Sequence, residues 1–149
     1  MSNFVEQIND AIKVRVAAVL GATYSEMAYV TNPEKNNNRN GDNKYGVRPL
    51  SAGPFKGPLR SINTEQIFEI ILGDTYVNRD SDVALREATF VLYTKMDDIF
   101  KDLLGTKAGI ADVITLIKDP SMDAPEDFKD DNFIVLRGSV SIQWRRPTS

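Results

Sequence analysis

Between Asn132 and Arg146 the chain reads NFIVLRGSVSIQWRR, and this alternation constrains the fold more than any other stretch. Ile134, Leu136, Val140, Ile142 and Trp144 share one parity with Gly138, whereas Arg137, Ser139, Ser141, Gln143 and Arg145 share the other. Successive side chains of a strand point to opposite faces. The stretch therefore predicts a long strand with an apolar face in a core and a polar face turned to water or to another subunit. Trp144 falls on the apolar parity, which makes it a core residue before it is a stacking surface for a base.

The remaining elements follow from periodicity. Phe4 to Leu20 predicts a helix, with Val5, Ile8, Ile12, Val16 and Val19 on one stripe, Ser2 or Asn3 at its start and Gly21 at its end. Glu26 to Thr31 reads as a strand. Asn63 to Val77 is a clearer one, with Phe68, Ile70 and Leu72 on one parity and Glu65, Ile67, Glu69 and Ile71 on the other. Asp80 to Asp82 then opens a helix to about Leu104, whose stripe is Leu85, Ala88, Leu92, Met96, Ile99 and Leu103, with Gly105 as the stop. Asp112 to Ile117 is a short strand.

Two connections interrupt this pattern. Asn32 to Ser61 contains four prolines, four glycines and many asparagines, a composition that opposes a long helix or a central strand. It predicts a loop over about 32–61, in which Tyr45-Gly46-Val47-Arg48-Pro49-Leu50 carries residues able to dock onto something. Asp119 to Asp131 predicts an acidic turn-rich connection. The expected order is helix, strand, loop, strand, helix, strand, strand. Its economical packing is one α+β domain over residues 1–149, with a mainly antiparallel sheet of about four strands and two helices on one face.

Composition narrows the chemistry. The chain has no cysteine and no histidine, which removes thiol nucleophiles, thiolate metal sites, and the commonest general base and metal ligand. The net charge of −3 opposes nucleic-acid binding by the chain as a whole. The acids of MSNFVEQIND stand where a signal peptide needs basic residues, and no stretch approaches the roughly 18 apolar residues of a membrane span. These features predict a soluble protein made in a cytoplasm, with no membrane contact.

No motif supplies what composition withholds. Asn36, Asn38, Asn40 and Gly41 imitate the opening of a calcium-binding loop, but Val47 stands where a bidentate glutamate is required. Gly53-Pro54-Phe55-Lys56-Gly57-Pro58 lacks the spacing of a phosphate-binding loop, and its prolines remove the N–H donors. Asp97-Asp98 and Asp130-Asp131 are sequence neighbours that do not converge on one helix face. The expectation is no enzyme, no catalytic residue, no metal and no cofactor.

Charge placement is more informative. Asn32–Ser61 holds six basic residues against two acidic ones, and Asp119–Asp131 holds one basic residue against six acidic ones. Arg39, Lys44, Tyr45 and Arg48 on one side, with Asp123, Glu126 and Asp127 on the other, are therefore candidate contacts between subunits or partners. Segments of opposite sign can meet within a subunit or between neighbours, and in the second case the contact is head-to-tail and such contacts close into rings.

The N-terminal helix, the Tyr45–Leu50 segment, the strand-then-helix pair and the closing FIVLRGSVSIQWRR together resemble the tail-terminator proteins of bacteriophages. The resemblance implies a structural virion protein of the tail and neck, assembled in the host cytoplasm as a homo-oligomeric, hexameric ring. Such a ring caps the tail-tube protein, joins the head-side connector and lets DNA pass only as cargo. It implies that Arg137, Ser139, Ser141, Gln143 and Arg145 face the channel or a neighbour, and that the basic loop touches the ring or tube. Another head–tail joining protein is the alternative. A nucleic-acid-binding accessory protein using the basic loop and Trp144 is a further one, and an enzyme using carboxylates and lysines alone is the remotest.

Overall fold

The computed structural model describes residues 4–26, 43–52, 63–75, 82–110, 112–128 and 133–145. Helix α1 spans Phe4–Leu20 and buries Ile8, Ile12, Val16 and Leu20, one residue per turn, against the sheet. Gly21 ends it with a positive φ and donates its N–H to Ala17. Helix α2 spans Asp82–Thr106 and buries Leu92, Met96, Ile99, Phe100 and Leu103. It runs through Gly105 rather than stopping there. The turn comes at Lys107–Gly109, where Lys107, Ala108 and Gly109 all take positive φ and Ile110 donates its N–H to the Lys107 carbonyl.

The strands are β1 (Tyr24–Glu26), β2 (Asn43–Ala52), β3 (Asn63–Thr75), β4 (Ile114–Met122), β5 (Glu126–Phe128) and β6 (Phe133–Arg145). They form one sheet in the order β1-β2-β3-β6-β4, with β5 paired to β6 beside β4. The class is α+β as expected. The sheet is wider than four strands, and the β1–β2 pair is parallel among antiparallel neighbours. β6 pairs with β3 along its whole length, from Asn63 opposite Arg145 to Thr75 opposite Phe133.

Three expectations need correction. The 32–61 segment is not one loop, because ten of its residues form β2, hydrogen-bonded to β3 over most of their length. Gly46 and Pro49 weaken a strand in isolation, but Tyr45 and Val47 alternate into the core and β3 supplies the pairing. The register slips after Pro49, so Leu50 is an extra residue before Ser51 meets Ile67; the strand absorbs its proline with a bulge. The acidic connection is likewise ordered: β4 continues to Met122 and β5 follows almost at once. The strand expected over Glu26–Thr31 is found at Tyr24–Glu26, and residues 27–31 lie outside the described residues.

One core sits between the helices and one face of the sheet. It gathers the four α1 residues, the α2 stripe, Phe68, Ile70 and Leu72 of β3, and Ile134, Leu136, Val140, Ile142 and Trp144 of β6. Gly138 makes the close approach of α2 possible. A Cβ there would lie 2.9 Å from both the Met96 Sδ and the Phe100 ring, so the helix crosses β6 where a side chain is missing. The helices are tied to each other by Arg15, whose Nε and Nη2 donate to the two Asp102 carboxylate oxygens at 2.8 and 2.5 Å.

Candidate functional site

The face of the sheet away from the helices carries the polar half of β6, as its alternation requires. Lying across it are Lys44, Gly46 and Arg48 of β2, Glu65, Ile67, Glu69 and Ile71 of β3, Arg137, Ser139, Ser141 and Gln143 of β6, and Leu116, Lys118 and Ser121 of β4. Two glutamates of β3 organise this surface.

Glu69 is the first hub. Arg48 Nε donates to Glu69 Oε1 at 2.8 Å, and Arg137 Nη1 donates to the same oxygen at 3.3 Å. Arg137 Nε then donates to Glu126 Oε1 at 3.2 Å. Cation and anion alternate across β2, β3, β6 and β5, so no charge in the row is left beside its like. Glu69 is buried, and its two arginines meet the cost of holding a carboxylate there. In the same half of the face Ile71 and Val135 are fully buried although they lie outside the helix-side core.

Glu65 is the second hub. Its Oε1 accepts from Ser141 Oγ at 2.6 Å and lies 3.4 Å from Lys118 Nζ, while its Oε2 accepts from Gln143 Nε2 at 3.4 Å. The Ser121 and Ser139 hydroxyls share a hydrogen bond of 2.9 Å one row away. Around this hub the apolar residues are not covered: Leu50, Ile67 and Leu116 are 47%, 37% and 44% exposed.

Against this geometry the sequence-derived site residues divide sharply. Arg137, Ser139, Ser141 and Gln143 do share the open face, but each of them is engaged within the sheet. Arg48 and Glu126 are paired to Glu69 and Arg137 rather than to each other or to an outside charge. Lys44 donates to Ser25 Oγ at 2.8 Å, across the β1–β2 pair. Tyr45 was expected at a contact surface and is instead 9% exposed, packed in the core beneath α1, because its parity in β2 is the helix-side one. Asp123 is exposed, and its N–H donates to the Arg137 carbonyl. Asp127 and Arg145 lie in β5 and β6, with side chains outside the described residues, and Arg39 lies wholly outside them. Trp144 is 1% exposed, so no base stacks on it.

The glutamate hubs are what sequence reasoning missed. Glu65 and Glu69 stand on one parity of a strand, which is legible, but the cations they gather come from segments far along the chain.

A separate buried pair closes the β1 edge. Tyr24 donates its hydroxyl to Asp74 Oδ1 across the helix side of the sheet. Burial raises the Asp74 carboxyl above its ordinary value, against the opposing pull of the Tyr24 hydroxyl and the Lys95 charge; burial and Asp74 together hold the Tyr24 phenol protonated. Among the described residues no three carboxylates converge to hold a metal ion, and no helix is long and apolar enough to cross a membrane. No protein-family model matches the chain, and no curated protein matches it significantly.

Proposed function

We propose that the chain is a non-enzymatic structural subunit of a bacteriophage virion, a tail terminator that works as a ring of identical copies. The observation that carries this reading is the one-sided architecture. Two helices cover one face of a wide sheet, while the other face leaves Leu50, Ile67 and Leu116 exposed around a rigid polar frame. A sheet face of this kind is more apolar than a solvated face needs to be. Its paired charges would enter an interface without being left unpartnered. The pattern resemblance in the sequence supplies the choice of virion ring; the geometry supports assembly.

The ring caps the tail-tube protein and meets the head-side connector, and DNA passes through it. In the alternative of another head–tail joining protein, the same surface serves a different neighbour. The reading with a nucleic-acid accessory role has lost its aromatic platform with the burial of Trp144.

Sedimentation velocity and electron microscopy on the purified chain test the proposal. A discrete closed oligomer is expected, with a ring outline in projection. A monomer at every concentration overturns it. Charge reversal at Arg48 is a poor probe of assembly, because it breaks the pair with Glu69 inside the sheet. Exposed apolar positions give the cleaner probe.

A further inference from the structure

Two tyrosines are buried at the β1 edge, and only one of them is satisfied. Tyr24 donates its hydroxyl to Asp74, whereas the Tyr45 hydroxyl has no hydrogen-bond partner among the described residues. A buried phenol usually finds one. Tyr45 is 9% exposed, and what it exposes lines a depression of about 400 Å³ between α1 and the β1–β2 edge. Asp10, Lys13, Val14 and Ala17 form one wall, on a single side of α1. Glu26 forms the other, opposite Tyr45 in the strand register. The depression beside Phe90 and Val91 on α2 is of similar size, but none of its lining residues is buried.

The chemistry of the α1 depression selects its ligand. Lys13 Nζ lies 2.9 Å from Glu26 Oε1 and 3.7 Å from Asp10 Oδ1, so two carboxylates share one ammonium and a single negative charge is left over. An anion is opposed there and a monocation is favoured. Burial raises the Tyr45 phenol above its ordinary value, Glu26 adds to the rise and Lys13 opposes it. The hydroxyl therefore keeps its proton, and its oxygen offers lone pairs to an N–H donor. Val14, 66% exposed, and Ala17 give an apolar wall for a hydrocarbon stem. The volume falls in the range of small-ligand sites, roughly 300–1,000 Å³.

We infer that the depression between α1 and the β1–β2 edge binds an organic monocation on an apolar stem, an alkylguanidinium or alkylammonium group. Its N–H groups donate to the Tyr45 hydroxyl oxygen and to the carboxylate of Asp10 or Glu26, and its stem lies along Val14 and Ala17. That chemistry is carried by a free amine or guanidine and by the side chain of a lysine or arginine in another chain. The inference stands apart from the ring reading, because the site is complete within one copy.

The full-length, isotope-labelled protein is titrated with n-butylguanidinium and, separately, with its neutral isostere n-butylurea, and the backbone amide shifts are followed by NMR. The cation is expected to shift Lys13, Val14, Ala17, Glu26 and Tyr45, with a dissociation constant in about the millimolar range. Butylurea is expected to bind at least about five-fold more weakly. Tyr45→Phe keeps the ring in the core and should weaken binding of the cation about five-fold, the loss of one hydrogen bond. Asp10→Asn, exposed on the rim, should weaken it about two-fold. Circular dichroism confirms that both variants fold. Absence of shifts, shifts centred on Phe90 to Asp98, equal binding of butylurea, or unchanged affinity in both variants overturns the inference. An acetylated, amidated Gly-Arg-Gly peptide distinguishes the sources: binding at least as tight as that of the free cation assigns the group to a polypeptide side chain, and weaker binding assigns it to a free cation.

Discussion

Phe68 and Ile67 are adjacent in β3 and differ in almost everything that follows. Phe68 is fully buried between the helices and the sheet, whereas Ile67 is 37% exposed on the other face. The same alternation divides β6, where Leu136, Val140 and Ile142 hold the helices and Arg137, Ser141 and Gln143 reach the two glutamate hubs. One face achieves stability by excluding water. The other is held by cross-strand pairs that stay partly wet and leaves apolar area over. That leftover, and not the core, is the surface on which the proposed association rests.

The largest expected effect separates the two faces directly. Phe68→Ala should destabilise the fold by about 3–5 kcal/mol, the usual cost of removing a buried ring and leaving a cavity. Ile67→Ala should cost less than about 1 kcal/mol. Urea unfolding of the isolated chain measures both. Equal losses would mean that the open face is covered as thoroughly as the core. If Ile67→Ala lowers the sedimentation coefficient while its urea midpoint at low protein concentration is unmoved, the division of labour between the faces is sharpened.

The next effect distinguishes the two halves of the open face. Glu69→Gln keeps the volume but leaves Arg48 and Arg137 facing a neutral acceptor, and should cost about 2 kcal/mol. Glu65 is the less buried hub, its side chain 17% exposed against 9% for Glu69. Glu65→Gln should therefore cost about 1 kcal/mol or less. A larger loss at Glu65 would reverse the order of the two hubs and place the rigid half of the face beside the exposed strip.

How much of this was legible depends on range. The alternation of β6, the stripe of α1 and the burial of Trp144 are written in spacings of two, three and four residues, and local pattern reveals them. β2 was hidden because Gly46 and Pro49 speak against a strand locally, while the argument in its favour is its pairing with β3. The hubs were hidden for a related reason. Glu69 reads as an ordinary strand residue until the fold brings Arg137 from 68 positions away. Tyr45 looks like a contact residue only while its neighbourhood reads as loop; once β2 exists, parity alone sends it inward.

Acid and base should act on the helix–helix tie and on the buried pair at the β1 edge with opposite sign. Asp102 joins α1 to α2 through Arg15, whose hydrogen bonds hold its carboxyl below the ordinary 3.8. Its contribution is present above that value and is lost as pH falls through the lowered one. Asp74 lies on the helix side of β3 and is raised by burial, so its contribution is present below 3.8 and is lost as pH rises through its folded value. Asp102→Asn should lower the melting temperature at neutral pH and converge on the wild type in acid. Asp74→Asn retains an acceptor for Tyr24 without the charge, and should raise the melting temperature at neutral pH relative to its effect in acid. Parallel pH profiles for the two variants would show that Asp74 is not held at a cost.

The smallest effect concerns how β4 serves both faces. Lys118 stands opposite Ser141 and Ser121 opposite Ser139, so residues three apart point to the same open face, which plain alternation forbids. The register slips between them, and Asp119 carries the slip with φ of 55°. Aspartate tolerates that left-handed conformation and glycine prefers it, while a β-branched residue does not. Asp119→Gly should change stability by no more than about 0.5 kcal/mol, and Asp119→Val should lose about 1–2 kcal/mol. Hydrogen exchange locates the loss: Asp119→Val should speed exchange in Ser121 and Met122, beyond the bulge, and leave Ile114 to Ile117 protected. Uniform acceleration along β4 would mean that the strand is held as one unit and that the bulge does not separate its start at Ile114–Ile117 from its end at Ser121–Met122.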